Sequence, residues 1–235
     1  RDGRITSIEA LLRWHHPQAG MISPDRFIPL AEEMHLMTAI GQWVLDASLR
    51  QLAQWRAEGI EEIRMAVNIS AQQLLMPELI DCVEDTLNRH GLTGRDLELE
   101  ITESMLMQDP DFCVTQLQKL SDLGVRIAMD DFGTGYSSLN QLKRLPIDTL
   151  KIDRSFVVDL DRNPDDASIC RATIHMAKSM GLDTVAEGVE NEAQASLLRT
   201  LDCERFQGYL YGRPMDARAT ADFLSAQAPV RAGVR

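Results

Sequence analysis

With 235 residues, 44% of them hydrophobic and 26% charged, the chain has the make-up of a globular protein with a sizeable core. A net charge of −12 argues against a general nucleic-acid or anionic-membrane surface, so neither DNA binding nor membrane contact is expected. A phosphate-bearing ligand would need local cations, either metal ions or a few placed Arg and Lys. No apolar run approaches the ~18 residues of a transmembrane helix, and no signal peptide is visible. Cys82, Cys113, Cys170 and Cys203 show neither C-x-x-C nor zinc spacing, which reads as free thiols in a reducing cytoplasm. The opening at Arg1 rather than Met reads as a piece of something longer.

Taken in order, Thr6–Leu12 is an apolar stretch around Glu9, followed by Arg13-Trp14 and a loop marked by Pro17 and Gly20. Ser23-Pro24 looks like a helix cap with Pro at the first helical position, and Asp25–Leu36 has helical spacing. A second helix over Thr38–Glu58 lines up Ile40, Val44, Leu45, Leu49, Leu52 and Trp55 and stops at Gly59. Strand-like runs follow at Ile63–Ile69, Leu97–Thr102, Val125–Met129, Ile147–Ile152, Asp183–Ala186 and Cys203–Phe206. Helical stretches alternate with them: Pro77–His90, Pro110–Leu123, Pro164–Met180, Glu190–Leu201 and Asp216–Ala226, with a possible short helix at Ser137–Leu142. Gly91, Gly124 and Gly181 stop three of these. Alternation of this kind predicts a parallel sheet. About seven strands are visible where a closed barrel uses about eight. We therefore expect an α/β fold, a modified TIM (β/α)8 barrel without its first strand, with an open doubly wound sheet as the alternative. One domain is expected over 1–227, and a flexible tail over 228–235.

The run Val125–Met129 ends in Asp130-Asp131, then Phe132 and a Gly133-Thr134-Gly135 turn. Paired carboxylates at the exit of a buried strand repel each other and lose water, and a divalent cation would remove that repulsion. Similar residues sit at the other strand ends: Glu9, Asn68, Glu100, Lys151, Glu187 and Gln207. In a barrel all of these face one mouth, where such enzymes react. Oxygen donors without His or Cys suit Mg²⁺ or Mn²⁺. The acids outnumber the needs of one ion, which points to two ions about 3.5–4 Å apart acting on a phosphate ester. Asp130 is the natural bridge between them, with Asp131 serving the second ion. Lys151 would hold the attacking water or offset developing charge. The planar fork of Arg13 suits a phosphate. Glu103 would reach back to the Gly-Thr-Gly loop and hold it. His15-His16 read as loop structure, and Met34, Met37, Met176 and Met180 as core filling.

Seven pieces in this order resemble the EAL domain family of bacterial cyclic-di-GMP phosphodiesterases. They are Glu9-Ala10-Leu11 with Arg13-Trp14, Asn68-Ile69-Ser70, Glu100-Ile101-Thr102-Glu103, Asp130 to Gly135, Lys151-Ile152-Asp153, Glu187 to Glu190, and Gln207-Gly208-Tyr209. Each is weak alone; the ordered set is specific. The resemblance implies that Glu9, Asn68, Glu100, Asp130, Asp131 and Glu187 hold two Mg²⁺ or Mn²⁺ ions; Ca²⁺, with its larger and looser shell, is expected to be inhibitory. It implies catalytic roles for Glu9, Lys151 and Glu103. It puts Leu12, Arg13, Asn68, Asp130, Lys151, Glu190 and Gln207 at the substrate. The implied reaction opens one phosphodiester of cyclic-di-GMP to give linear pGpG. A homodimer, and an upstream sensory or GGDEF-like domain, are implied as partners. Against the enzyme stand a receptor that binds cyclic-di-GMP without cutting it, and an unrelated metal-dependent barrel enzyme. Degenerate receptors of this type usually lose one of the acids, whereas Glu9, Glu103, Asp130, Asp131 and Lys151 are all present.

Overall fold

A computed structural model describes residues 3–133 and 142–227. Among them a seven-stranded parallel sheet runs β1 (Ser7–Ala10), β4 (Arg64–Asn68), β5 (Leu97–Thr102), β6 (Arg126–Phe132), β7 (Thr149–Ile152), β8 (Asp183–Ala186) and β9 (Arg205–Phe206). Each strand is added to the edge left by the one before it, and every pairing is parallel. All the C-terminal strand ends therefore lie along one rim. The sheet is curled: Gln207, just past β9, donates to Glu9 of β1 at 2.6 Å across 198 residues of chain. This is the modified TIM barrel expected, with seven of its strands among the described residues.

Parallel strands covered on both faces read as apolar runs. Leu97, Leu99 and Ile101 of β5, Ile127 and Met129 of β6, and Leu150 and Ile152 of β7 are all at most 1% exposed. The outer layer comprises α1 (Pro24–Glu33), α2 (Met37–Ala57), α3 (Ala71–Leu74), α4 (Leu79–Arg89), α5 (Pro110–Asp122), α6 (Arg154–Val157), α7 (Pro164–Ser179), α8 (Glu192–Thr200) and α9 (Ala217–Gln227). The α2 stripe buries Leu45, Leu49, Leu52 and Trp55. Helix starts are set by side chains: Asp109 accepts from the Phe112 N–H, Asn163 from Asp165, and Asn191 forms a capping box with Gln194. The glycines read as stops (Gly59, Gly91, Gly124, Gly181) all take positive φ.

Several expectations are corrected. Trp14–His16 (β2) and Gly20–Ile22 (β3) form an antiparallel hairpin where a plain loop was expected. The Trp14 ring packs edge-on against Phe27, and His16 Nδ1 accepts the Gln18 and Ala19 N–H groups, which closes the turn. α1 ends at Glu33 rather than Leu36, because His35 turns left-handed at φ 55°. Met34 is thereby left 59% exposed instead of filling the core, while Met37 is buried and Met176 and Met180 pack against the core. Ser23 does precede Pro24, but its hydroxyl donates to the Asp25 carboxylate and caps nothing. β6 continues through Asp130-Asp131 instead of stopping at Met129. Except for Leu142, the helix expected at Ser137–Leu142 lies outside the described residues, as do Thr134-Gly135 and the tail.

Among the described residues no helix is long and apolar enough to cross a membrane. All four cysteines are free, three of them buried and Cys82 half-buried. Burial pushes the Cys170 thiol up to about 12 and the Cys203 thiol up to about 11. An unfolded thiol ionises near 8.5. Above that pH the unfolded chain releases protons that the folded chain retains, so these thiols lower stability as pH rises toward 11–12. Titration with a chromogenic disulfide at pH 8 is expected to label at most Cys82 rapidly. The other three should react only on unfolding; rapid labelling of all four in the native state would contradict this packing.

Candidate active site

Lys151 is the centre of the rim. It is 2% exposed, and its Nζ lies 2.9 Å from Glu100 Oε2, 3.2 Å from Asp130 Oδ2 and 2.7 Å from Glu187 Oε1. Those carboxylates come from β5, from β6 and from the residue after β8. Parallel register does this: Asn68 pairs with Glu100, Thr102 with Asp130, and Lys151 lies between Asp130 and Glu187 in strand order. Glu9 is held by two amides, Asn68 Nδ2 of the neighbouring strand β4 at 2.7 Å and Gln207 Nε2 from just past the far edge strand β9 at 2.6 Å. One carboxylate oxygen from each of Asp130, Asp131 and Glu187 lies within 4.8 Å of the others.

The backbone cooperates. The β6–β7 register shifts between Met129 and Phe132, and Asp131 sits in the left-handed region at φ 52°. Asp is one of the few non-glycine residues that visit this region, and such outliers gather at functional sites. The kink lets two adjacent acids serve one cluster, where a regular strand would turn them to opposite faces.

Crowding of acids shows in their protonation. Burial raises the Glu100 carboxyl well above the usual range; Lys151 lowers it, and Glu9 and Asp130 raise it further. Burial, opposed by Lys151 and reinforced by Asp130 and Glu9, pushes Glu187 up to about 7. Asp131 is raised by burial, then by Asp130 and Asp153. Burial alone would lower the Lys151 ammonium, but Glu100, Glu187, Glu9 and Asp130 more than offset it and the group is raised. Glu100 Oε2 and Lys151 Nζ are nonetheless buried without a well-aligned hydrogen bond, despite their 2.9 Å contact. The centre has more negative charge than one lysine neutralises, and its donors are all oxygen. That donor set fits a hard divalent cation.

The structure thus brings together Glu9, Asn68, Glu100, Asp130, Asp131, Lys151, Glu187 and Gln207. Arg13 and Glu190 it instead leaves exposed, each with a partner outside this cluster. Arg13 is exposed and donates to its neighbour's carbonyl, Leu12 O, at 2.9 Å. Leu12 is half-buried beside it. Glu190 is exposed and paired with Arg154 at 2.7 Å. Glu103 is buried in a 3-10 turn (Glu103–Met107) after β5, and the loop it was expected to hold lies outside the described residues. Asp153 was quoted in a motif but given no role. It perturbs Asp131 directly and caps α6 through the Ser155 N–H. Its signal was available, since an acid two residues after Lys151 extends to the same side.

The EAL domain family model matches residues 1–214 of this chain. The chain belongs to the EAL domain family. It is 49% identical over 216 residues to the bifunctional diguanylate cyclase/cyclic di-GMP phosphodiesterase MucR of Pseudomonas aeruginosa, a match covering 92% of this chain and 32% of that protein. It is 45% identical over 225 residues to the cyclic di-GMP phosphodiesterase NbdA of the same organism, covering 96% and 29%. The chain thus spans about a third of the length of the curated relatives it matches. Among solved structures it resembles the MucR phosphodiesterase in its c-di-GMP complex, with a TM-score of 0.88, 48% identity, and coverage of 92% of this chain and 87% of that one. The EAL enzyme Bd1971 with cAMP and cyclic-di-GMP bound superposes at a TM-score of 0.90 and 35% identity, covering 94% and 61%. EAL membership implies divalent metal, and the Asp130, Asp131 and Glu187 cluster is a place for it.

Proposed function

We propose that this EAL domain is a metal-dependent phosphodiesterase that hydrolyses one phosphodiester of cyclic-di-GMP to linear pGpG. The observation that carries this reading is the convergence of Glu100, Asp130 and Glu187 on buried Lys151, with Asp131 and Glu9 beside them. The names of the relatives support the substrate. Two Mg²⁺ or Mn²⁺ ions held by Glu9, Asn68, Glu100, Asp130, Asp131 and Glu187 would lower the pKa of a water and neutralise phosphate charge. The protein groups do the rest. Asn68 and Gln207 hold both oxygens of Glu9, so its carboxylate faces the site in one orientation. Lys151, fixed by three acids, orients the attacking water and offsets the negative charge that develops on the phosphoryl oxygens. The water oxygen bonds to phosphorus as the P–O3′ bond breaks, and a proton that the water gives up ends on the 3′ oxygen. Arg13, exposed just ahead of the hairpin, would exchange Leu12 O for a phosphate of the substrate.

The intact acid set favours the enzyme over a silent cyclic-di-GMP receptor. Wild-type protein with Mg²⁺ is expected to convert cyclic-di-GMP to pGpG by chromatography; tight binding without turnover would favour the receptor, and no binding an unrelated barrel enzyme. Ca²⁺ in place of Mg²⁺ is expected to slow turnover about tenfold or more, because its larger, looser shell misplaces the water. Equal rates would contradict this. We place the catalytic unit at residues 1–227, in a cytoplasmic homodimer behind a sensory or GGDEF-like domain. The greater length of MucR and NbdA supports the extra domain.

A further inference from the structure

Arg154 is used by none of the chemistry above, yet it touches the Glu187–Glu190 segment at two points. Its guanidinium Nη2 meets Glu190 Oε1 at 2.7 Å. Its stem lies across Gly188, where a Cβ would come within 2.2 Å of Arg154 Cγ and 2.9 Å of both Cβ and Cδ. Gly188 itself is at φ 67°, so two independent constraints exclude a side chain there. A third tie joins the same two segments: Gln194 Nε2 donates to Val158 O at 2.8 Å, while its Oε1 accepts the Glu190 and Asn191 N–H groups. Arg154 follows Lys151 by three residues, and Gly188 follows Glu187 directly. The clamp therefore links the segment carrying the lysine to the segment carrying one of its acids.

As an ion pair this contact adds little stability, since the side chains are 57% and 40% exposed. Its content is positional. We propose that Arg154 is a positioning residue: its stem seats the Gly188 turn so that Glu187 meets Lys151, and its head aims Glu190 at the substrate. This rests on the phosphodiesterase reading of the site.

The test separates stem from head and includes a readout other than turnover. Arg154→Met keeps an unbranched stem and drops the charge; Arg154→Ala drops both. Arg154→Ala is expected to lower kcat about tenfold or more and to weaken Mn²⁺ binding, measured by the EPR signal of free Mn²⁺, by a similar factor. Gly188→Ala leaves Arg154 in place and displaces its stem, and should reproduce both losses if Arg154→Ala fails to fold. Arg154→Met is expected to hold kcat within about threefold while raising KM as much as Glu190→Gln does, with no further rise in the double variant. Unchanged kcat and Mn²⁺ affinity in both Arg154→Ala and Gly188→Ala would overturn the clamp. So would an Arg154→Met that loses kcat as far as Arg154→Ala, or KM effects that add in the double variant. Absence of turnover in the wild type would instead overturn the phosphodiesterase reading, and the Mn²⁺ affinities would still judge the clamp.

Discussion

Lys151→Met is expected to destabilise the metal-free protein by about 3–5 kcal/mol, the usual cost of removing one partner from a buried charge cluster. The reason is local. Glu100, Asp130 and Glu187 all lie within 3.2 Å of the ammonium, and Glu100 and Lys151 are almost completely buried. Without the lysine their mutual repulsion has no internal counter-charge. For a domain of this size the loss corresponds to a fall in Tm of roughly 6–20 °C. Its pH dependence follows from protonation. Glu100 and Glu187 are already raised by burial, and removing Lys151 raises them further. The folded variant then binds more protons than its unfolded chain, so its stability falls as pH rises through those raised values. The deficit should be smaller near pH 5 than at pH 8. Added Mn²⁺ should raise Tm more in the variant than in the wild type, because it supplies the missing positive charge. Melting curves at two pH values, with and without Mn²⁺, read all of this. A variant that melts within about 1 °C of wild type would remove Lys151 from the centre of the argument.

Loss of a single acid is expected to abolish turnover while sparing the fold. Asp131→Ala and Glu9→Ala should each lower kcat by about 10³ or more, since in the proposed mechanism several kcal/mol of charge stabilisation would come from the two metal ions these residues would help hold. Asp131 carries a complication: alanine tolerates φ 52° poorly, so Asp131→Ala also strains the kink. Asp131→Asn keeps a residue that visits this region and removes only the charge. Equal losses in both assign the effect to the carboxylate; activity kept in Asp131→Asn alone would assign it to the backbone. Glu9→Ala strands two amides, Asn68 and Gln207, which then lose their common acceptor. Within tenfold of wild-type activity for Glu9→Ala would count heavily against the proposed chemistry.

Much of the site was legible because of how parallel sheets read. A strand covered on both faces is an apolar run, so an acid, amide or lysine at its end stands out. Glu9, Asn68, Glu100, Asp130, Asp131, Lys151, Glu187 and Gln207 were all found this way. Residues outside such runs were harder. Asp153 looked like part of the Lys-Ile-Asp pattern and nothing more, although it lies against Asp131. Arg154 carried no signal, because its contact with Gly188 joins segments 34 residues apart. The hairpin at Trp14–Ile22 was missed because Pro17 and Gly20 mark a loop equally well. Met34 was misplaced because helical spacing says nothing about where a helix stops, and the left-handed His35 decided that.

Sequence alone determined the α/β alternation, the parallel sheet and the residue types waiting at each strand end, since these follow from local periodicity and from where polar groups interrupt apolar runs. Only the tertiary structure decided which of those groups meet. Coulomb interactions and metal coordination act over a few ångströms, and the separations that matter are set by strand stagger, by the kink at Asp131 and by the curl that carries Gln207 to Glu9. No local pattern encodes those distances.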